Sequence, residues 1–341
     1  MIESEPSLEP TLADFTLAEL ARMQRVLRQR FGVAHDPNLI DVGFGTALKR
    51  NRLDSARGLA ACFFVRTKWR PAGPRRAIPP RVRLRLRRRR RYELIWLATD
   101  IVEVGAVAPS GHRFSAPEVG PATAGAILVW QQRAFHGRNH LCGILTVGHA
   151  FPSPRRDLVL IQGPAGGIDF NGRLYQKSRR PSAVDAAIIQ VRPQDLADNG
   201  ILDAGLLRGG MVDPAAVAPA TVLAPTDLAT KLGARGTSLR DGRPQPFVLH
   251  ALLPTMSIPT LGCLRNVLAV RARQRQAFGP GTSGAIWEIE DQAAALQVAA
   301  TPPDFQHGFG QALAVDLTWA RDSLAQTRLL VPGSLRLVTW V

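Results

Sequence analysis

Apolar residues at Leu17, Leu20, Ala21, Met23, Val26 and Leu27 fall mainly on one face when spaced at 3.6 residues per turn. Thr16 and Glu19 stand where a capping box would open that face, so a helix is predicted over residues 17–31, closed by Phe31-Gly32. The period then shortens. Leu39–Phe44, Leu59–Arg66 and Leu94–Gly105 read as strands, separated by a stretch rich in proline and arginine over residues 70–91. Within it, Arg81-Val82-Arg83-Leu84-Arg85-Leu86-Arg87 alternates strictly, as a strand with Val82, Leu84 and Leu86 inward and arginines outward would.

From about residue 118 the pattern becomes all-β, with short apolar runs punctuated by Gly, Pro, Asn and Asp. Ala124–Trp130, Leu141–Val147, Leu158–Gln162 and Ala186–Val191 form one group of expected strands. Phe247–Leu253, Asn266–Arg271, Ala285–Ile289, Ala293–Ala299 and Gln311–Val315 form a second. Pro193–Leu228, rich in Ala, Pro and Asp, reads as the crossover between them. Asp316-Leu317-Thr318-Trp319 opens an expected C-terminal helix that Pro332-Gly333 would end.

With 341 residues, 45% of them hydrophobic, the chain can bury one large core or two medium ones. Three cysteines, Cys62, Cys142 and Cys263, make no disulfide framework and favour a reducing compartment. The acidic start Met1–Pro6 does not read as a signal peptide, and no apolar run reaches the roughly 18 residues of a membrane span. The expected location is therefore cytoplasmic.

Net charge is +16, and fourteen Lys or Arg lie between Ser55 and Tyr92 with no acid among them. Such a strip suits a polyanion: nucleic acid, an acidic partner or a membrane face. Aromatic residues do not interleave with the arginines of the run Arg81–Arg91, only Tyr92 and Trp96 sitting nearby, which argues against nucleic acid. A solvated basic loop would show the same composition. Arg outnumbers Lys 39 to 4, a bias that weakens any special reading of single arginines.

Gly281-Thr282-Ser283-Gly284-Ala285 places a serine between glycines, where a sharp turn presents backbone N–H groups beside a hydroxyl. Gly236-Thr237-Ser238 repeats the tripeptide but runs on into Leu239-Arg240, and reads as a loop. Upstream of Ser283 lie Leu145-Thr146-Val147-Gly148-His149-Ala150 and Val184-Asp185-Ala186-Ala187-Ile188-Ile189. Asp185 follows His149 by 36 residues and precedes Ser283 by 98. An acid at the start of an apolar strand is costly unless paired. His112, His136, His140, His250 and His307 lack the strand-to-turn setting of His149. His136 and His140 hint at a metal only on a helix, which Gly137-Arg138-Asn139 opposes, so no metal and no cofactor is expected.

The order His, Asp, Ser resembles that of trypsin-like serine peptidases of the chymotrypsin fold, most closely bacterial ones without a signal peptide. The resemblance covers about two thirds of the chain. It implies an all-β, chymotrypsin-like double β-barrel with an N-terminal α+β extension and a C-terminal helix. The implied division is an accessory region over residues 1–110 and a peptidase domain over 111–341, with barrels at about 118–192 and 230–316. It further implies His149 as general base, Asp185 as its orienting acid, Ser283 as nucleophile, and the amides of Gly281 and Ser283 as oxyanion hole. Ala277, six residues before Ser283, would stand at the base of the substrate pocket and disfavour a basic P1 residue. Thr282 replaces the acid that secreted trypsins carry before the nucleophile, so their activating salt bridge is unavailable.

The expected function is a serine endopeptidase acting on protein or peptide substrates, with a regulatory protein partner docking on residues 1–110. Its alternatives are an inactive scaffold of the same fold, or a basic-patch protein that binds nucleic acid or an acidic partner.

Overall fold

The structure, a computed structural model, describes residues 10–49, 52–53, 58–66, 78–88, 91–104, 108–109, 122–132, 140–151, 158–162, 167–178, 183–213, 216–217, 219–240, 243–258, 261–272, 278, 282–300, 310–326, 330–331 and 334–340. The chain is mostly β-strand with few helices.

Helix α1 spans Leu17–Phe31, and Thr16 and Glu19 form the expected capping box. Four longer strands follow: β1 (Leu39–Thr46), β2 (Leu59–Val65), β3 (Arg81–Arg88) and β4 (Arg91–Glu103), with a two-residue pair, Leu48–Lys49 and Arg52–Leu53, between the first two. The pairing runs β1–β2–β4–β3, antiparallel except for the parallel β2–β4 contact. Strand β2 is buried along its whole length. Ala60, Cys62 and Phe64 enter one core and Ala61, Phe63 and Val65 the other, as the two-residue period requires. Strand β3 buries Val82, Leu84 and Leu86 under α1 and turns its odd-numbered arginines outward, as the alternation predicts.

Helix α1 is held down by polar contacts as well as by Leu20, Met23 and Leu27. Arg28 donates to both oxygens of Asp41 at 2.7 and 2.6 Å, and also reaches the carbonyl of Thr255. Burial outweighs this pairing and leaves the Asp41 carboxyl above its ordinary pKa. Gln24 donates to the carbonyls of Val42 and Thr255, tying the helix to two strands distant in sequence.

Strands β5 (Ala126–Gln131), β6 (His140–Thr146), β7 (Leu158–Ile161), β8 (Phe170–Lys177) and β9 (Ala187–Val191) make an antiparallel sheet in the order β7–β8–β9–β6–β5. Strand β8 is missing from the sequence reading. Its inward residues include Gly172 and Gln176 as well as Phe170 and Leu174, which blurs the apolar alternation. After helix α2 (Pro193–Asp198) and an irregular crossover come β10 (Arg235–Arg240), β11 (Arg243–Ile258), β12 (Gly262–Ala272), β13 (Ile286–Ile289), β14 (Gln292–Ala300) and β15 (Gly310–Asp316). These six strands close a ring: β10 pairs with β13, β13 with β14, β14 with β15, β15 with β12, β12 with β11, and β11 with β10, all antiparallel.

The Gly236-Thr237-Ser238 tripeptide is not a loop. It lies within β10, paired to both β11 and β13, where Ser238 is buried. Ring closure supplies the two neighbours that its own composition does not advertise. The C-terminal helix also differs from expectation. Helix α3 spans Leu317–Ala325, N-capped by Asp316, and a strand β16 (Arg336–Trp340) follows that adds itself to β5 as the sixth member of the other sheet. Among the described residues that second sheet ends at β7 and β16, which do not pair with each other.

The long strand β11 belongs to both the ring and the N-terminal strands, because it pairs with β1 beyond the end of β10. Strands β1–β4 thus extend the sheet that contains the ring. One hydrophobic core fills the space beneath α1 and one face of the ring strands. The other joins the opposite face of those strands to the six-stranded sheet.

Candidate functional site

His149 sits in a single 3-10 turn, Gly148–Ala150, just beyond the end of β6. Asp185 stands two residues before β9, the strand paired with β6, so register brings their loops together. The Nδ1 atom of His149 lies 2.5 Å from Oδ2 of Asp185, with both side chains nearly buried. This contact fixes the ring so that Nε2 faces away from the carboxylate. Nε2 is buried and meets no hydrogen-bond partner among the described residues.

Local features aim the two groups. Ser178, just beyond β8, donates its hydroxyl to the carbonyl of Val184 and accepts from the N–H of Ala186, bracketing Asp185. A Cβ at Gly148 would stand 2.9 Å from Oδ1 of Asp185, so a side chain there would push the carboxylate away. Lys177 donates its ammonium to the carbonyl of Phe151, just past the histidine turn.

Ser283 lies in the turn before β13 and is fully buried. Its hydroxyl donates to the carbonyl of Val298 at 3.4 Å, a long bond, and makes no hydrogen bond to His149. The sequence-predicted histidine and aspartate are therefore brought together, and the serine hydroxyl is turned to a different acceptor. Gly281 and Ala277 lie outside the described residues, as do His112, His136 and His307.

The serine turn nevertheless docks directly on the strand that leads to His149. Gly284 has φ of 100°, a conformation open to glycine, and a Cβ there would stand 2.2 Å from the carbonyl oxygen of Thr123 and 2.6 Å from Oγ1 of Thr146. Gly125 packs against the carbonyl of Gly284 from the other side. The N–H of Thr123 donates to the carbonyl of Ser283 at 2.7 Å, and Thr146 donates its hydroxyl to the carbonyl of Thr123 at 2.8 Å.

Gln297 organises the turn and was missed by the sequence reading. It is fully buried in β14. Its side-chain amide donates to Oγ1 of Thr282 at 2.6 Å and accepts from the indole N–H of Trp287 at 3.1 Å. Its backbone accepts from the N–H of Gly284 and donates to the carbonyl of Ala285. The available signal was one amide side chain inside the apolar run Ala293–Ala300.

A second grouping of chemical side chains lies elsewhere. Cys62, Asp100 and His250 place a ligand atom each within 4.8 Å of one another. Burial, aided by the positive charge of Arg271, lowers the pKa of His250 to about 3, and burial raises that of the Cys62 thiol well above its usual value. The donor set suits zinc, but the adjacent guanidinium of Arg271 opposes a divalent cation. His140, a rival in sequence, contacts the side-chain amide of Gln131 through Nε2 at 2.7 Å.

No protein-family model and no curated protein matches the chain. Among solved structures it is similar to kallikrein-related peptidase 10, at 12% identity and a TM-score of 0.31, over 61% of this chain and 100% of that one. A likeness that weak carries no argument about fold or chemistry. No helix among the described residues is long and apolar enough to cross a membrane.

Proposed function

We propose that the chain is a serine-type hydrolase of trypsin-like architecture, in which the six-strand ring is one barrel and the open six-stranded sheet takes the place of the other. The observation that carries this reading is the 2.5 Å contact between His149 Nδ1 and Asp185 Oδ2, which leaves Nε2 unpartnered. An imidazole held by a carboxylate on one nitrogen and open on the other is built to accept a proton. Ser283 supplies that proton once its hydroxyl leaves Val298 and turns to His149.

In the proposed reaction Ser283 Oγ attacks a carbonyl carbon and His149 Nε2 takes its proton. Asp185 holds the imidazole in the required tautomer and stabilises the imidazolium. The amides of Gly281 and Ser283 bind the oxyanion. His149 then protonates the leaving amine, and water repeats the cycle on the acyl-enzyme. Protein or peptide substrates fit this chemistry. The buried state of Ser283 makes the described form a resting one. Activation by a partner on residues 1–110 is consistent with the continuity of β1–β4 with the ring.

A second reading, an inactive scaffold of the same architecture, draws on the same buried hydroxyl at Val298. A fluorophosphonate probe separates the two. Adduct formation on the intact chain, mapped to Ser283 and abolished in Ser283→Ala and His149→Ala, is the expected result. A folded chain that forms no adduct at Ser283 at neutral or mildly alkaline pH, with or without candidate substrate proteins, overturns the hydrolase.

A further inference from the structure

We infer that the outer face of the β3–β4 hairpin is a binding platform for a single-stranded polynucleotide. The linear sequence separates arginines from aromatics, but antiparallel pairing interleaves them. Arg83 stands directly across from Trp96, Arg85 from Leu94 and Arg87 from Tyr92. All six side chains occupy the same face, since the register pairs odd positions of β3 with even positions of β4. Tyr92, Leu94 and Trp96 are 59%, 47% and 41% exposed, far more than a sheet face covered by its own chain would leave.

The guanidinium of Arg85 lies 3.9 Å from the ring centre of Tyr92, and that of Arg83 lies 5.8 Å from the ring of Trp96. Each pair offers a flat, cationic stack at low additional ordering cost. Among the described residues Arg83, Arg85 and Arg87 form no ion pair, while Arg88, on the opposite face, is bonded to Glu19 and Glu93. Among the described residues, the patch of Arg83, Arg85, Arg87, Tyr92, Leu94 and Trp96 is thus basic and aromatic with no acid within it. Outward arginines on one strand recur at about 6.6 Å, a step comparable to that between phosphates of an extended single strand. Phosphates along the arginine row and bases against Tyr92 and Trp96 satisfy both kinds of group at once.

Other roles use only part of this arrangement. β3 ends its sheet, and charge alone blocks unwanted pairing at such an edge. That role does not call for exposed Tyr92 and Trp96. An acidic peptide would meet the charge but leave the rings unused. A duplex hides its bases from them.

The test uses the full chain with fluorescently labelled oligothymidylate and oligouridylate, read by anisotropy across a salt series. Binding is expected, with a slope of log K against log salt near about −2 for three neutralised phosphates. Arg83→Glu with Arg85→Glu should abolish it, and Arg83→Lys with Arg85→Lys should retain it in part. Tyr92→Ala and Trp96→Ala should each weaken it about ten-fold or more, with circular dichroism unchanged. No binding at low salt overturns the inference. So does equal binding of the matching duplex, of polyglutamate or of phosphatidylserine vesicles, or indifference to loss of both aromatic rings. Ser283→Ala should bind normally, so failure here and failure of the hydrolase reading are separate outcomes.

Discussion

Gln297 donates its amide to the Thr282 hydroxyl at 2.6 Å, with both side chains buried beside Ser283. This neutral, buried pair braces the Ser283 turn against β14. Removing the amide strands the Trp287 indole N–H and takes a partner from Thr282. Gln297→Leu should therefore cost about 2–4 kcal/mol. Urea denaturation of the single variants and of Gln297→Leu with Thr282→Val measures the coupling, which should be at least about 0.5 kcal/mol for residues in direct contact.

Gly284→Ala meets two obstacles together: a φ of 100° and the Thr123 carbonyl 2.2 Å from the new methyl. Stability should fall by about 2 kcal/mol or more, and fluorophosphonate labelling should disappear with the displaced turn. Gly281→Ala provides a contrast that probes the flanking glycine alone.

Gly148→Ala tests how His149 is aimed. The added methyl would stand 2.9 Å from Asp185 Oδ1, so the carboxylate must move. The expected cost in stability is about 1 kcal/mol, with a much larger loss in labelling rate. Asp185→Asn should lower that rate by about 10²–10⁴ through the wrong imidazole tautomer. Stopped-time labelling followed by intact mass measures both. A rate that Asp185→Asn leaves unchanged would remove the aspartate from the mechanism.

Two buried groups set opposite pH slopes. His250 titrates near 3 in the folded chain against an ordinary 6.5, because burial and Arg271 resist its charge. Its contribution is complete above 6.5 and is lost by about 1.4 kcal/mol per pH unit as the solution is acidified toward 3. Asp316 behaves in reverse. Burial raises it from 3.8 to about 6, so acidification from 6 to 3.8 adds stability. The two offset over that window. Asp316→Asn keeps the cap on Trp319 and removes the buried charge, and should add about 1–3 kcal/mol at pH 7. Between pH 6 and 3.8 that variant should lose stability more steeply, on acidification, than the unsubstituted chain. Urea midpoints across pH give both results.

Much of the local structure was legible. The capping box and apolar face of Leu17–Phe31 rest on neighbours three or four residues apart, and the alternation of Arg81–Arg87 rests on the strand period. His149 and Asp185 were legible as candidates because each sits beside an apolar run, in an order and spacing relative to Ser283 that single them out. Strand β8 was hidden by Gly172 and Gln176 at inward positions, and β16 by its distance from the sheet it completes. The loop expected at Gly236–Ser238 became a strand because β11 and β13 flank it.

The sequence by itself determined what depends on near neighbours: the helix starts, the strand periods, and the presence of His149, Asp185 and Ser283 as chemically capable groups. Tertiary structure alone decided which groups meet. Ring closure buried Ser238, register put Tyr92 and Trp96 among the arginines, and packing turned the Ser283 hydroxyl toward Val298 rather than His149. Periodicity is encoded along the chain, whereas partnership depends on loop conformation and cross-strand register, which join residues that no local pattern relates.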